Sequence, residues 1–232
     1  MSFGLVFPGQ GSQRVGMLEE AAGAFSVVSD TFSEASEALG YDLWQLVSQG
    51  PAEKLGLTEY TQPAILTASV ALFRAFTEAN AFQPVAGAGH SLGEYSALVS
   101  AGTLSLADGV RLVRQRGAAM QDAVPVGVGA MAVVMGLDDD VVTDTCISVS
   151  TAESFVGGVN FNAPGQVVIA GHSAAVDAAV AALKDAGARR AMPLPVSAPF
   201  HTPLMQPAAE VMQQAFEDVS WSTPQFPVVS NV

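Results

Sequence analysis

Short apolar runs of strand length alternate with helical patterns along the first half of the chain, and this alternation constrains the fold more than any other feature. The runs at Phe3–Phe7 and 84–88 are bounded by turn residues, as buried strands are. Helical spacing of apolar residues continues up to Leu39 and recurs at about 62–79, 94–100 and 106–123. One face of the 62–79 helix carries Ile65, Ala68, Leu72 and Phe76. Strands that alternate with helices predict an α/β layer with a largely parallel sheet.

The order of elements changes in the second half. Four predicted strands lie at 130–136, 156–160, 166–170 and 190–196, and two predicted helices at about 138–148 and 173–186. Ser173 is placed to cap the second helix and Gly187 to end it. The order βαββαβ is that of the ferredoxin-like split motif. We therefore predict a ferredoxin-like insert at 127–196 in a discontinuous large domain of residues 1–126 and 197–232.

Composition excludes several classes of protein. Half of the 232 residues are hydrophobic and only 13% are charged, which is not the composition of a disordered chain. Nine Lys and Arg against 22 Asp and Glu give a net charge of −13, so neither nucleic acid nor an anionic membrane surface is an expected partner. No uncharged stretch is apolar enough to span a membrane, and no basic residues precede the first apolar run as they do in a signal peptide.

The chain has one cysteine, Cys146, so no internal disulfide can form. This suits a reducing compartment, and we expect a cytoplasmic location. Nothing basic lies near Cys146 in the sequence to activate its thiol, and we expect it to pack as a small hydrophobic residue.

The strongest chemical motif is Gly-His-Ser-Leu-Gly at 89–93, which lies between a predicted strand and a predicted helix. This is the context of a nucleophile elbow, in which the glycines permit a sharp turn that exposes the Oγ of Ser91. The N–H of Leu92 lies at the helix start, where an oxyanion would form. Gly-His-Ser recurs at 171–173 without the second glycine. We therefore predict Ser91 as the nucleophile.

A serine nucleophile needs a base, and the chain has three histidines. His90 is adjacent to Ser91 and is expected to pack or hydrogen-bond beneath the turn, because neighbouring side chains diverge in an elbow. His172 follows a strand in the predicted insert and is expected at the surface. His201, where the chain re-enters the large domain, is by elimination the best candidate for the general base.

Arg116 lies on or beside the apolar stripe of the 106–123 helix, whereas Arg111 faces away, toward Asp108. A partly buried guanidinium needs an anionic partner, because an unpaired buried charge is costly. That partner is either an internal carboxylate or the carboxylate of a substrate held by a bidentate clamp. A third alternative is that the aliphatic stem alone is buried.

Four segments together resemble the malonyl-CoA:acyl carrier protein transacylases of bacterial fatty acid synthesis. They are FPGQGSQ at 7–13, GHSLGEYSAL at 89–98, NFNAPGQ at 160–166 and SAPFH at 197–201. The resemblance covers the whole chain. It implies an α/β-hydrolase-like large domain with a ferredoxin-like insert. The implied partners are malonyl-CoA and acyl carrier protein, with no bound cofactor and no metal.

The resemblance also implies a role for each matching residue. Ser91 receives the malonyl group from the coenzyme A thioester, and His201 moves the protons before the group passes to the phosphopantetheine thiol of the carrier. The N–H groups of Gln10 and Leu92 form the oxyanion hole. Arg116 holds the malonyl carboxylate.

Three residues would shape the acyl pocket of such an enzyme. The resemblance places Gln62 near the malonyl group. Leu92 after the serine and Phe200 before the histidine resemble the pattern that prefers malonyl over methylmalonyl groups. A bulky phenylalanine beside the α-carbon leaves less room for a methyl branch, and one methyl discriminates by only ~1–3 kcal/mol.

Carrier proteins of this pathway are acidic, and so is this chain, so attraction between them must be local. Lys184, Arg189 and Arg190 form the candidate docking patch. The alternative is an ordinary solvated turn.

Two other functions remain open at the level of sequence. A serine thioesterase would use the same Ser-His pair and end the cycle with water. A non-catalytic fragment would bind the carrier protein without forming an acyl adduct.

Members of the family continue beyond the position of Val232, so we also expect the large domain to be truncated at its C-terminal end and the truncated form to be nearly inactive. Phe226, Val228 and Val229 would then be poorly covered.

Overall fold

The computed structural model describes residues 3–80, 83–196 and 198–232. Its secondary structure mixes parallel and antiparallel sheets with helices, which confirms the predicted α/β class. The chain forms two compact units. Unit 1 comprises Met1–Ala118 and Met212–Val232, and unit 2 comprises Ala119–Val211. Unit 2 encloses the predicted insert, whose status as a separate domain stays a prediction.

The bounds of the elements are as follows. The strands are β1 Phe3–Phe7, β2 Pro84–Gly89, β3 Gly129–Met135, β4 Val156–Ala163, β5 Gln166–His172, β6 Arg190–Pro193 and β7 Val228–Val229. The helices are α1 Glu19–Ala24, α2 Ser26–Leu39, α3 Leu43–Gln49, α4 Ala52–Gly56, α5 Thr58–Ala79, α6 Gly93–Ser100, α7 Leu106–Asp122, α8 Asp139–Val149, α9 Ser173–Asp185 and α10 Gln206–Glu217. None of the helices in the described residues combines the length and apolar character of a membrane span.

Unit 1 is built on a parallel sheet with the strand order β1-β2-β7. β1 and β2 run side by side until Phe7 pairs with Gly89, so the loops that follow them leave the same edge of the sheet. The carboxyl edge of a parallel sheet is where α/β proteins place their ligand sites. Both FPGQGSQ and GHSLG begin at this edge.

The helices of unit 1 form one apolar core, with Phe32, Leu43, Leu66 and Val110 among its buried members. Helix α5 begins at Thr58, earlier than the predicted start near 62, because Tyr60 and Thr61 already donate to the carbonyl of Leu57.

The apolar face predicted for α5 is buried over only half of its length. Ile65 and Ala68 are buried, whereas Leu72 and Phe76 are 48% and 46% exposed. The two exposed residues line a mainly apolar cavity of about 360 Å³ between α5 and β1. Helical periodicity therefore located the face but not how far along α5 it is covered.

The expectation that residues near the end of the chain are poorly covered is wrong for Phe226, which is only 5% exposed. Its ring fills the space beside Gly87, where a Cβ would lie 2.9 Å from the Phe226 ring. It also meets Phe73 edge to face at 6.3 Å. Val229 is 58% exposed, as expected.

Unit 2 contains an antiparallel sheet with the strand order β4-β5-β3-β6, and α8 and α9 follow β3 and β5 in the chain. β4 and β5 form a hairpin whose turn includes Gly165 at φ 72°. Cys146 is buried in the apolar core of this unit, and burial raises the pKa of its thiol to about 11. It therefore packs as a small hydrophobic residue, as predicted.

The prediction that Ser173 caps α9 is wrong. The N-cap is His172, and Ser173 is the first helical residue. Its Oγ donates to the carbonyl of Gly127 at 2.8 Å, which ties the helix start to the segment before β3. Gly187, at φ 97°, directly follows the C-cap of α9, as predicted.

Candidate active site

The turn between β2 and α6 has the geometry of a nucleophile elbow. Ser91 has φ 53°, in the left-handed region that non-glycine residues rarely adopt. A Cβ on Gly89 would lie 1.9 Å from the carbonyl carbon of Gly93, and a Cβ on Gly93 would lie 2.3 Å from the carbonyl oxygen of Phe7. Both glycines are therefore required by the close approach of backbone to backbone.

His90 is exposed, and its contacts join the elbow to the end of β1. Its N–H donates to the carbonyl of Phe7 at 3.0 Å. A Cβ on Gly9 would lie 2.8 Å from its ring Nδ1. The ring thus stands over Gly9 at the surface rather than beneath the turn.

The two predicted oxyanion residues flank the same edge of the sheet. Leu92 is buried and is the N-cap of α6, where N–H groups lack partners within the helix. Gln10 follows β1, and its Nε2 donates to Thr58 Oγ1 at 3.4 Å. This contact holds the Gln10 loop against the start of α5.

Arg116 joins Ser91 to Gln62. Its Nη1 donates to Gln62 Oε1 at 2.9 Å, and its Nη2 donates to Ser91 Oγ at 3.1 Å. Gln62 is almost completely buried in α5 and cannot readily turn away from the guanidinium. Arg111, five residues earlier on α7, is exposed and pairs with Asp108 at 3.6 Å, as predicted.

The surroundings of Arg116 are mainly apolar and aromatic. Its Cζ lies 5.7 Å from the ring centroid of Tyr95, within the range of a cation–π contact. Burial lowers the pKa of Arg116, while Tyr95 and Glu94 raise it. Burial likewise raises the pKa of Tyr95, and Arg116 opposes that effect. Burial of the aliphatic stem alone loses support, because the guanidinium itself is partly buried. An internal carboxylate loses support as the partner, because the described residues contain no ion pair between Arg116 and a carboxylate.

His201 belongs to unit 2, at φ 63° in an exposed loop position. The next residue, Thr202, is buried and fixes the loop, because its Oγ1 donates to the Pro199 carbonyl at 2.7 Å and accepts from the Leu204 N–H. Phe200 is buried in an apolar cluster of the same unit. Ser197, which opens the SAPFH segment, lies outside the described residues. The pairing of His201 with Ser91 stays a prediction.

The other predicted residues of unit 2 are at its surface or near it. His172 is half-buried and accepts the Phe155 N–H on Nδ1 at 3.0 Å, so it has a structural role. Lys184, Arg189 and Arg190 are all exposed. Lys184 lies in the last turn of α9, Arg189 just before β6, and Arg190 at its first position.

Sequence reasoning missed one residue of this site, Asn231. Its side chain accepts the Ser91 N–H at 3.1 Å and donates to the Gly89 carbonyl at 3.0 Å. Its position after the two-residue strand β7 carries no sequence signal of its own, because its role depends on the pairing of β7 with β2.

Comparison with known proteins agrees with this geometry. A family model described as the acyl transferase domain matches residues 5–232. The malonyl CoA-acyl carrier protein transacylase of Escherichia coli K12 is 56% identical over 230 residues, which is 99% of this chain and 74% of that protein. The corresponding protein of Haemophilus influenzae is 53% identical over 231 residues, or 99% of this chain and 74% of that protein.

Solved structures give the same result. The malonyl CoA-acyl carrier protein transacylase of Coxiella burnetii matches with a TM-score of 0.98 at 48% identity, covering 100% of this chain and 73% of that one. A malonyl-transacylase in complex with a type II PKS acyl-carrier protein matches with a TM-score of 0.97 at 54% identity, covering 100% and 75%. The resemblance carried by the four motifs is confirmed, and the chain belongs to the acyl transferase domain family, among the malonyl CoA-acyl carrier protein transacylases.

Proposed function

We propose that this chain transfers the malonyl group of malonyl-CoA to the phosphopantetheine thiol of acyl carrier protein through a malonyl ester of Ser91. The relatives named above carry out this transfer by name, and one of them is seen with a carrier protein. The observation that carries the proposal is the 3.1 Å contact between Arg116 Nη2 and Ser91 Oγ. A guanidinium this close to the nucleophile is suited to the free carboxylate of a dicarboxylic acyl group.

In the first half-reaction, Ser91 Oγ attacks the thioester carbonyl, and the carbon–sulfur bond breaks as the ester forms. His201 takes the serine proton and returns it to the departing thiolate of coenzyme A. The second half-reaction runs the same steps in reverse with the thiol of the carrier protein. One base therefore serves both halves of a ping-pong cycle, and no bound cofactor takes part.

The negative oxygen formed at each attack needs donors fixed in advance. We assign this role to the N–H groups of Gln10 and Leu92. The parallel pairing of β1 with β2 supports the assignment, because it brings the loops after both strands to one edge. The contact of Gln10 with Thr58 supports it further, since a fixed loop holds its N–H group in place.

Arg116, Gln62 and Phe200 would select the acyl group. Binding of malonyl would exchange the contact of Arg116 with Ser91 for one with the carboxylate, while the contact with Gln62 continues to orient the guanidinium. We assign Phe200 to the wall beside the α-carbon, where its bulk would disfavour a methyl branch.

At the level of fold we propose an α/β-hydrolase-like large domain, 1–126 with 197–232, and a ferredoxin-like insert at 127–196. The strand order β4-β5-β3-β6 with the element order βαββαβ supports the second assignment. Lys184, Arg189 and Arg190, exposed in the same unit, are the proposed docking patch for the carrier. We further propose a cytoplasmic location, which a single buried thiol suits.

Intact mass after mixing with malonyl-CoA tests the mechanism. The wild-type protein, expressed to the end of its reading frame in this and the following experiments, should gain one malonyl group, and Ser91→Ala should gain none while melting as the wild type does. His201→Ala should slow both half-reactions, because the same base serves both. Labelling of Ser91→Ala at wild-type stoichiometry would refute the assignment of the nucleophile.

The same experiment decides between transfer and hydrolysis. Once the adduct has formed, holo-carrier protein is added to one half of the sample and buffer to the other. A transacylase loses the malonyl group much faster to the carrier thiol than to water. Equal rates of loss would indicate a thioesterase, and a wild-type chain that gains no adduct would indicate a binding module.

A further inference from the structure

Beyond the end of β7, the side chain of Asn231 continues the hydrogen bonding between β7 and β2. Gly87 pairs with Val228 and Ala88 with Val229, in parallel. Two positions further along this register, His90 would lie opposite Asn231. In a parallel ladder, the residue opposite His90 donates its N–H to the carbonyl of Gly89 and accepts the N–H of Ser91.

The side-chain amide of Asn231 makes both of these bonds in place of its main chain. Its Nδ2 donates to the Gly89 carbonyl at 3.0 Å, and its Oδ1 accepts the Ser91 N–H at 3.1 Å. Aspartate has no amide donor for Gly89, and alanine has neither the donor nor the acceptor.

Glu94, in the first turn of α6, holds Asn231 in this orientation. Its Oε2 accepts the main-chain N–H of Asn231 at 3.0 Å and also bonds to Nδ2. The carboxylate therefore fixes which end of the amide faces Gly89, because only the nitrogen end can donate to it. Glu94 and Asn231 are thus hydrogen-bonded to each other, and Asn231 is hydrogen-bonded to the backbone of the elbow.

The elbow is a strained structure that needs such support. Ser91 is held at φ 53°, and a non-glycine residue persists in this strained region only where its surroundings impose it. The bonds of Asn231 fall on the residues before and after His90, so they fix the backbone that aims Ser91 Oγ.

We propose that Asn231, oriented by Glu94, is a positioning residue for the nucleophile. It sets the direction of Ser91 Oγ and of the adjacent Leu92 N–H and does not contact the acyl group. This inference rests on the proposed function, since it concerns the rate at which Ser91 is acylated.

The test measures the acylation of Ser91 by malonyl-CoA and by acetyl-CoA with quenched-flow intact mass on the full chain. Asn231→Ala should acylate ~10–100-fold more slowly at saturation, because small displacements of a reacting atom have effects of that size. KM should change little, and the factor should be the same for both thioesters. Ser230→Ala, whose hydroxyl accepts only the nearby Val232 N–H among the described bonds, is the control and should acylate at the wild-type rate.

A charge-swapped pair separates positioning from general stability. Asn231→Asp keeps an acceptor for the Ser91 N–H but places its carboxylate beside that of Glu94. This variant should therefore acylate more slowly than the wild type. Adding Glu94→Gln restores a donor between the two side chains, and the double variant should acylate ~10-fold faster than Asn231→Asp alone. This comparison is still available if Asn231→Ala fails to fold.

Three outcomes would overturn the inference: an Asn231→Ala rate within about twofold of the wild type, an effect confined to KM, or no gain in the double variant. A failure of the proposed function looks different, because the wild-type chain itself would then gain no malonyl group.

Discussion

Arg116 donates hydrogen bonds to Gln62 and to Ser91 in this structure, and under the proposed function only the contact with Gln62 would remain with substrate bound. Gln62 orients the guanidinium from a buried position, and Ser91 Oγ occupies the donor that a carboxylate would take. The ring of Tyr95 lies beside the guanidinium, with its centroid 5.7 Å from Cζ. Under the proposed function, we therefore expect the guanidinium to be oriented for a carboxylate before substrate binds.

Replacing Arg116 by alanine should impair acylation by malonyl-CoA far more than by acetyl-CoA, because only the malonyl group presents a carboxylate. A charge-assisted contact is worth roughly 1.5–3 kcal/mol, so kcat/KM for malonyl-CoA should fall about 10–100-fold. The kcat/KM values of the two thioesters provide the measurement. Arg111→Ala is the matched control on the same helix and should change neither. Equal losses for both thioesters would give Arg116 a structural role only.

At this scale the sequence predicts what is local. The position of Arg116 beside an apolar stripe was sufficient to predict its partial burial, and G-x-S-x-G was sufficient for the elbow. Asn231 could not be found in this way, because its partners lie 137 to 142 residues earlier in the chain. A polar residue after a short strand has no periodic pattern, and only the pairing of β7 with β2 gives it a role.

Helices α5 and α7 carry Gln62 and Arg116, and the two helices approach each other closely at one glycine. Gly117 follows Arg116 on α7, and a Cβ there would lie 2.6 Å from the carbonyl oxygen of Thr58 at the start of α5. Gln62 lies about one turn further along α5. The contact between backbone and glycine thus sets the distance from Arg116 to Gln62.

Gly117→Ala should therefore separate the two helices at this point. Overpacking of this kind costs about 1–3 kcal/mol, and we expect a lower Tm together with a higher KM for malonyl-CoA. Gly23→Ala is the control, because Gly23 lies in α1 with no atom within 4 Å of its Cβ position, and alanine there should be neutral or slightly stabilising. If Gly117→Ala keeps both the Tm and the KM of the wild type, this contact does not set the site.

The sequence predicts the type and position of most helices and strands, but not which faces of these elements are buried by tertiary neighbours. β1 coincides with the predicted strand, and β2 extends one residue past its predicted end. The exposure of Leu72 and Phe76 was not predicted, because a period of 3.6 marks a face without naming its neighbour. The predicted N-cap of α9 is off by one residue for a similar reason. The hydroxyl of Ser173 donates to the carbonyl of Gly127, a tertiary contact, instead of capping the helix.

The net charge of −13 bears on how the whole molecule meets an acidic carrier protein. Long-range repulsion is expected between two acidic proteins, so productive encounter requires a local region of opposite sign. Lys184, Arg189 and Arg190 lie within seven positions of the chain and are all exposed. The aliphatic part of Arg189 lies over Gly136, where a Cβ would be 2.8 Å from its Cγ, so this side chain is held near the surface of unit 2.

The chain has only two lysines, and both are exposed, which gives a test with a charge-matched control. Lys184→Glu and Lys54→Glu each change the net charge by −2, from −13 to −15, but only the first lies in the proposed patch. Lys184→Glu should raise the KM for carrier protein several-fold at low salt and flatten its salt dependence, because screening acts on the attraction that has been removed. The KM for malonyl-CoA should stay unchanged. Lys54→Glu should show only the small effect of net charge. Identical salt profiles for the two variants would mean that net charge, and not this patch, governs the encounter.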